Sequence, residues 1–176
     1  MGRLNEKRLR EENNFLAISK DWEKIADRIL NNETLLKLVY YTSPDALSKP
    51  NLTTEQKLTL INKNIIPYPY IPEDDDTQNY IQILFDSFFP NSNNQEYIDN
   101  TIMITILCHR SNWIMENWKL RLYCIANEIM NTINNKKFSG IGSANFLGAV
   151  NLVPSKHIFG LTMTFGVINS LNEPEY

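Results

Sequence analysis

Two histidines, two cysteines and a run of four carboxylates are the residues of this chain best equipped for chemistry. Cys108-His109 sets a nucleophile beside a base, but side chains alternate across a strand, so the two point apart and cannot share the hydrogen bond that thiol catalysis needs. Cys124 remains within geometric reach of His109 or His157, yet it falls one position off the apolar stripe of a predicted helix with no oxyanion-hole signature nearby. Zinc sites draw on closely spaced ligand pairs, and Cys108, His109 and Cys124 lack that spacing. Glu73-Asp74-Asp75-Asp76 has the charge for a divalent cation but not the Asp-x-Asp-x-Asp-Gly order of a calcium loop, so it reads as a solvated turn or an acidic docking patch. Gly140-Ile-Gly142 follows a helix where a dinucleotide fingerprint follows a strand, and the third glycine is missing. There is no P-loop, no Gly-x-Ser-x-Gly and no His-Glu-x-x-His. The expectation is a protein that binds other proteins, with no catalytic, metal or cofactor residues, and not an enzyme.

Aromatic residues next to basic ones stand out in Arg110-Ser-Asn-Trp113 and Trp118-Lys119-Leu-Arg121. Such pairs can stack nucleobases. The net charge of −3 argues against a general nucleic-acid binder. A place at the edge of the core or in a protein interface, where Trp, Tyr and Arg anchor binding, suits them better.

The elements that must position these residues follow from periodicity. Trp22, Ile25, Ala26, Ile29 and Leu30 mark one face of a helix over 19–30, and a second helix runs from Leu35 to Tyr41 until Ser43-Pro44 stops it. Thr53-Thr-Glu-Gln56 is a capping box that opens a short helix to about Asn62. Ile66-Pro67-Tyr68-Pro69-Tyr70-Ile71-Pro72 is forced into an extended, polyproline-like path. Strands follow over 80–88 and 99–109. In the second, Ile102, Ile104 and Ile106 alternate with Met103, Thr105 and Leu107, which makes it central in a covered sheet. The spacing of Trp118, Leu122, Ile125, Ala126, Ile129 and Ile133 predicts a long helix over 116–134, with Glu116 at its positive end and Lys136-Lys137 at its negative end. Two further strands, 146–153 and 158–169, form an antiparallel pair joined through Pro154-Ser155-Lys156.

These elements give an α+β fold: a mostly antiparallel sheet of about four strands with a long helix packed across one face, preceded by N-terminal helices and an extended Pro-rich segment. The expected organisation is a polar arm over 1–14, one domain over 15–170 and a polar tail over 171–176. Within the domain, 15–65 is helical, 66–78 is the Pro and acidic connector, and 79–170 is the sheet–helix core. At 176 residues no disulfide or metal staple is needed, and Cys108 and Cys124 read as buried thiols. No apolar run is long enough for a membrane span, the start is too polar for a signal peptide, and Glu6 excludes a myristoylation signal at Met1-Gly2. Synthesis in the cytosol is therefore expected. Asparagine pairs such as Asn13-Asn14 and Asn134-Asn135, with abundant isoleucine and tyrosine, point to an AT-rich genome.

Several of these stretches carry a resemblance. Ile83-Leu-Phe-Asp-Ser-Phe-Phe-Pro-Asn, Asp99-Asn-Thr-Ile-Met-Ile and Cys108-His109 with Trp113 are similar to a family of small neck proteins of tailed bacteriophages. So are Leu120-Arg-Leu-Tyr-Cys-Ile-Ala-Asn-Glu-Ile, Ser139-Gly-Ile-Gly142, Phe146-Leu-Gly-Ala149 and, upstream, the stretch from Leu35 through Ser43-Pro-Asp-Ala-Leu-Ser-Lys-Pro-Asn-Leu-Thr53. Over roughly 30–170 the chain most resembles ring or tail-terminator-like proteins, those of crAss-like phages among them. The resemblance implies a virion subunit, assembled in the host cytoplasm, that closes into a ring of six or twelve copies. That ring would join the portal to adjacent neck or tail proteins, with no cofactor, no membrane contact, and DNA at most passing through the lumen.

A ring needs two different patches that meet head to tail. The candidates are the arm, with Arg3, Lys7, Arg8 and Arg10, and the acidic turn Glu73, Asp74, Asp75 and Asp76. Arg110 and Trp113 add a third contact. A monomeric or dimeric adaptor for one protein partner is the alternative, and an enzyme with an unrecognised site comes after it.

Overall fold

The computed structural model describes residues 18–90, 92, 97–137 and 143–170. The basic arm with Arg3, Lys7, Arg8 and Arg10, the Gly140-Ile-Gly142 break and the polar tail from 171 lie outside them.

Helix α1 covers 18–30 and turns Ile25, Ala26 and Ile29 into the core. Helix α2, Glu33–Tyr40, starts at Asn32, whose side chain accepts from the Leu35 N–H at 3.0 Å. The same amide donates to Glu128 at 3.1 Å and Thr132 at 3.0 Å, so one residue both caps α2 and ties it to a helix almost 100 positions away. Helix α3, Thr54–Leu60, opens with the capping box of Thr53 and Gln56.

Six strands form one curled sheet in the order β1-β2-β3-β6-β5-β4: β1 Ile65–Ile66, β2 Asn79–Pro90, β3 Tyr97–His109, β4 Lys136–Lys137, β5 Ser143–Leu152 and β6 Ile158–Ser170. The sheet is mixed, because β1 runs parallel to β2 while the other neighbours are antiparallel. Two register shifts, at Asp86/Phe89 and Phe146/Gly148, insert extra residues and bend it. In the close approach of β6 to β3, a Cβ at Gly160 would stand 2.6 Å from the Ile106 carbonyl oxygen, so only glycine fits there.

One face of the sheet carries the core. Ile81 and Ile83, Ile102, Ile104, Ile106 and Cys108, and Leu161, Met163, Phe165 and Val167 meet buried residues of all four helices. On the other face a smaller cluster of Tyr80, Leu107 and Ile158 is buried.

This overturns the expected arrangement of about four strands beneath one long helix. Helix α4 is the 13-residue segment Arg121–Ile133, and it shares its layer with the other helices instead of spanning the face. It starts at Arg121, not 116, because Asn117 and Trp118 both have left-handed backbones, at φ 58° and 61°. Lys136-Lys137, expected to complement the helix end, instead pair as a strand with Ser143 and Ala144. The two extra strands have two residues each, too short for any periodicity, and exist only through their pairing. Among the described residues no helix is long and apolar enough to cross a membrane.

Candidate interaction surface

Between β3 and α4 the chain makes a small hairpin. The Arg121 N–H donates to the Trp113 carbonyl at 2.9 Å, Ile114 bridges to Leu120, and the Met115 N–H donates to the Lys119 carbonyl at 2.9 Å. Its root is fixed from inside: Trp113 meets Phe159 edge-on at 5.5 Å and Tyr123 at 6.5 Å, and Met115 is buried. Its tip is Glu116, Asn117 and Trp118. Asparagine tolerates a positive φ; for tryptophan it is an outlier that costs on the order of 1–2 kcal/mol. The hairpin's own hydrogen bonds, with the Glu116 N–H donating to the Pro44 carbonyl at 3.1 Å, hold this conformation and leave the indole 85% exposed.

Around it Ile114, Leu120, Tyr123 and Leu47 also show apolar surface. A groove of about 600 Å³ runs from Lys119 past Leu120, Tyr123 and Cys124 to Asn127 and Glu128, walled on the far side by Thr34, Leu38 and Leu47. An exposed aromatic patch with a charged rim is the composition of a protein contact site. Sequence reasoning assigned Trp118 to the apolar stripe of the helix, and the structure corrects this. The available cue was Asn117, a residue suited to the left-handed region, placed where a helix was expected.

Arg121 has the opposite fate. The sequence groups it with Trp118 and Lys119 as an interface or core-edge cation, yet it is fully buried. Its Nε donates to the Asn112 carbonyl at 2.8 Å. Nη1 reaches Leu38 at 2.9 Å and Tyr41 at 2.7 Å, and Nη2 reaches Thr42 at 3.2 Å and Ser43 at 2.6 Å. All five carbonyls are backbone, most of them the orphan acceptors at the end of α2 and just beyond. Burial holds the guanidinium below its usual range, and the nearby Cys108 and Cys124 oppose that shift. Asn79 helps at the same place, its amide reaching Leu38 and Val39 at 3.3 and 3.4 Å.

The remaining expected contact residues divide. Glu73, Asp74 and Asp75 are exposed. Asp76 is turned inward, accepting from the Gln78 N–H at 2.9 Å and from the Tyr80 hydroxyl. Asn112 donates to the Thr77 carbonyl, so the acidic turn and the Arg110–Trp113 turn lie at the same end of the sheet. Arg110 is exposed, whereas Trp113 is packed against the core and serves as an anchor for the hairpin.

Two more surfaces stand open, of which only the one on β5 was not anticipated. Tyr68, Tyr70 and Ile71 are exposed along the Pro segment, which is clamped to the face away from the helices by Gln82 bonding the Tyr70 backbone and by Tyr70 against Tyr80 at 5.2 Å. Strand β5 pairs with β6 on one side, but β4 covers only Ser143 and Ala144 on the other. Asn134 then caps the Phe146 N–H at 2.9 Å. Beyond it Leu147, Val150, Leu152 and Val153 stand exposed. Val150 and Leu152 pair with Thr162 and Gly160, which places them on the sheet face that the helices leave open.

As for chemistry, His109 accepts from the Ser111 N–H at 3.2 Å, shares a 2.7 Å hydrogen bond with the Ser111 hydroxyl, and stacks on His157 at 5.9 Å. Cys108 on the same strand end is buried, and burial pushes its thiol up to about 12. Cys124 is also raised by burial. Among the described residues no three His, Cys, Asp or Glu side chains gather into a group able to hold a metal ion.

The protein-family model described as YomW matches residues 32–167, from the Asn32 cap of α2 to Val167 in β6. No curated protein and no solved structure matches the chain.

Proposed function

This chain belongs to the YomW family, a phage-associated family, and from that premise we propose that it is a structural protein of the phage head–tail junction. In this reading copies of the chain form a ring at the neck, between the portal and adjacent neck or tail proteins. The observation that carries it is the exposure of separate apolar surfaces on the two sides of one sheet. The Trp118 hairpin lies on the helical side, and Tyr70 with Val150 and Leu152 lies on the other. Two unlike patches on opposite faces are what a head-to-tail ring requires, and a monomeric adaptor has no use for the second. The left-handed backbone of Trp118 fits the same reading, because the hairpin's hydrogen bonds hold it and strain held in this way is typical of a residue kept ready for a ligand or partner.

The test is the virion. Purified particles of the phage that encodes this chain contain it in multiple copies per portal, and electron microscopy places ring density that fits the α+β subunit at the neck. Absence of the chain from purified particles refutes the reading.

A further inference from the structure

From Ala149 to Leu152 strand β5 is exposed on both faces. Beyond the Asn134 cap on the Phe146 N–H, its outer edge has no partner among the described residues. In an antiparallel ladder alternate residues turn their N–H and C=O away from the neighbouring strand, so this edge holds backbone groups that a further strand would satisfy. The usual guards against such pairing are missing. No charged residue and no proline occurs from Ser143 to Val153, and after the shift at Phe146/Gly148 the register is regular. The edge at β2 is guarded: β1 pairs with Ile81 and Gln82, α1 and Pro67 stand beside Ile83 and Phe85, and Asp86 and the shift that follows it close the row. What fits the open edge of β5 is an uncharged strand with apolar side chains.

We propose that this edge is filled by the same edge of a second copy, β5 running antiparallel to β5 about a two-fold axis at Val150. That register sets Gly148 opposite Leu152 of the second copy, Ala149 opposite Asn151, and Val150 opposite its own counterpart. A side chain added at Gly148 would meet nothing within 4 Å, so the exposed Leu152 of the second copy has open space to enter, and the axis repeats the fit. Leu147 and Val153, exposed at either end of the segment, come opposite each other in the same register. Being uncharged, the segment meets its own copy with no like charges facing. A pairing of like edges is isologous and ends at two copies, the six-stranded sheet of one continuing into that of the other. It does not depend on the neck reading, since it describes the chain outside the particle, before β5 meets any neighbour there.

The test is run on the full chain. By analytical ultracentrifugation the native chain is a dimer that dissociates on dilution. Val150→Lys and Val150→Glu each put like charges across the axis and weaken association at least about thirtyfold, with circular dichroism spectra matching the native chain. Mixed one to one, the two variants dimerise again, because opposite charges at this position meet only about a two-fold axis. Gly148→Leu and Leu152→Gly each weaken the dimer, and the two together in one chain restore it. Trp118→Lys, on the helical side, leaves it unchanged. In the native chain, hydrogen exchange across 147–153 is slower above the dimer's dissociation constant than below it, a readout that requires no variant to fold. A native chain that stays monomeric, a Val150→Lys chain that associates like the native one, or exchange indifferent to concentration overturns the pairing. A Lys–Glu mixture that stays monomeric, or a dimer lost with Trp118→Lys, overturns it too. A dimer that meets these tests while the chain is absent from virions leaves the pairing standing and sinks only the neck reading.

Discussion

Arg121 and Trp118 stand three positions apart and have exchanged the places their side chains would ordinarily take. The cation is fully buried and the tryptophan is 85% exposed. Each exchange has a backbone cause. Arg121 is drawn inward by carbonyls at the end of α2 and in the Thr42–Ser43 turn that lie beyond the helix's own hydrogen bonding, and its five N–H groups match five acceptors. Trp118 is turned outward by a hairpin closed between Met115 and Lys119, whose tip imposes two left-handed residues. Burial here is decided by where backbone groups need satisfying, and hydrophobicity comes second.

The largest break in that comparison is Arg121→Met. It leaves five carbonyls, those of Leu38 and Asn112 buried, each short of a donor, and about 3–5 kcal/mol of stability should go, read as a lower urea midpoint. A loss below about 1 kcal/mol would mean that water replaces the guanidinium without penalty. Asn79→Ala comes next, at about 1–2 kcal/mol. Because Asn79 and Arg121 both donate to Leu38, each single variant leaves the other donor in place and the double variant should lose more than the sum of the two single losses; strict additivity in a double-mutant cycle would show that they act independently.

Thiol labelling sharpens inside against outside on neighbouring elements. Cys124 borders the open groove and is modified in the folded state, whereas Cys108 reacts only as the core opens. Mass spectrometry after a short pulse of alkylating reagent should find one adduct, on Cys124. The Cys108 thiol also gives a pH signature. Its folded value near 12 lies above the ordinary 9, so the stability it contributes is complete below pH 9 and is lost as pH climbs toward 12. Cys108→Ala should therefore flatten the alkaline slope of the urea midpoint, and an unchanged slope would assign that loss to other groups. The smallest effect is Trp118→Gly. Glycine relieves the left-handed strain but adds freedom to the unfolded chain, so stability should rise by about 0.5–1 kcal/mol. A lower melting temperature would mean that the indole is held by its own fold.

Much of this was legible along the chain because it depends on neighbours in sequence. The alternation of Ile102, Ile104 and Ile106 marked the central strand, and Thr53 with Gln56 marked the start of α3. Lys156 and its neighbours marked the turn between β5 and β6. The candidate site was legible only in outline. The aromatic and basic residues between 110 and 121 drew attention, but periodicity placed Trp118 on the helix stripe because a φ of 61° leaves no trace in apolar spacing. The role of Arg121 could not be read at all, since four of its five acceptors lie some 80 positions upstream. The acidic turn could be read as charge, but not the inward turn of Asp76 onto the Tyr80 hydroxyl. The two-residue strands at Ile65 and Lys136 likewise depend on distant pairing.

The position of β6 has a consequence of timing. It is the last of the six strands to leave the ribosome, yet it lies between β3 and β5 and pairs with β3 along its whole length, from Ile158 opposite His109 to Ser170 opposite Tyr97. Until it emerges, β3 shows a bare row of backbone groups flanked by Ile102, Ile104 and Ile106, a template for any neighbouring nascent chain. Synthesis of this domain therefore has its most vulnerable interval between the emergence of β3 and that of β6. Slower decoding of the codons between β3 and β6 would lengthen that interval and lower the soluble yield, whereas slower decoding before β3 would not.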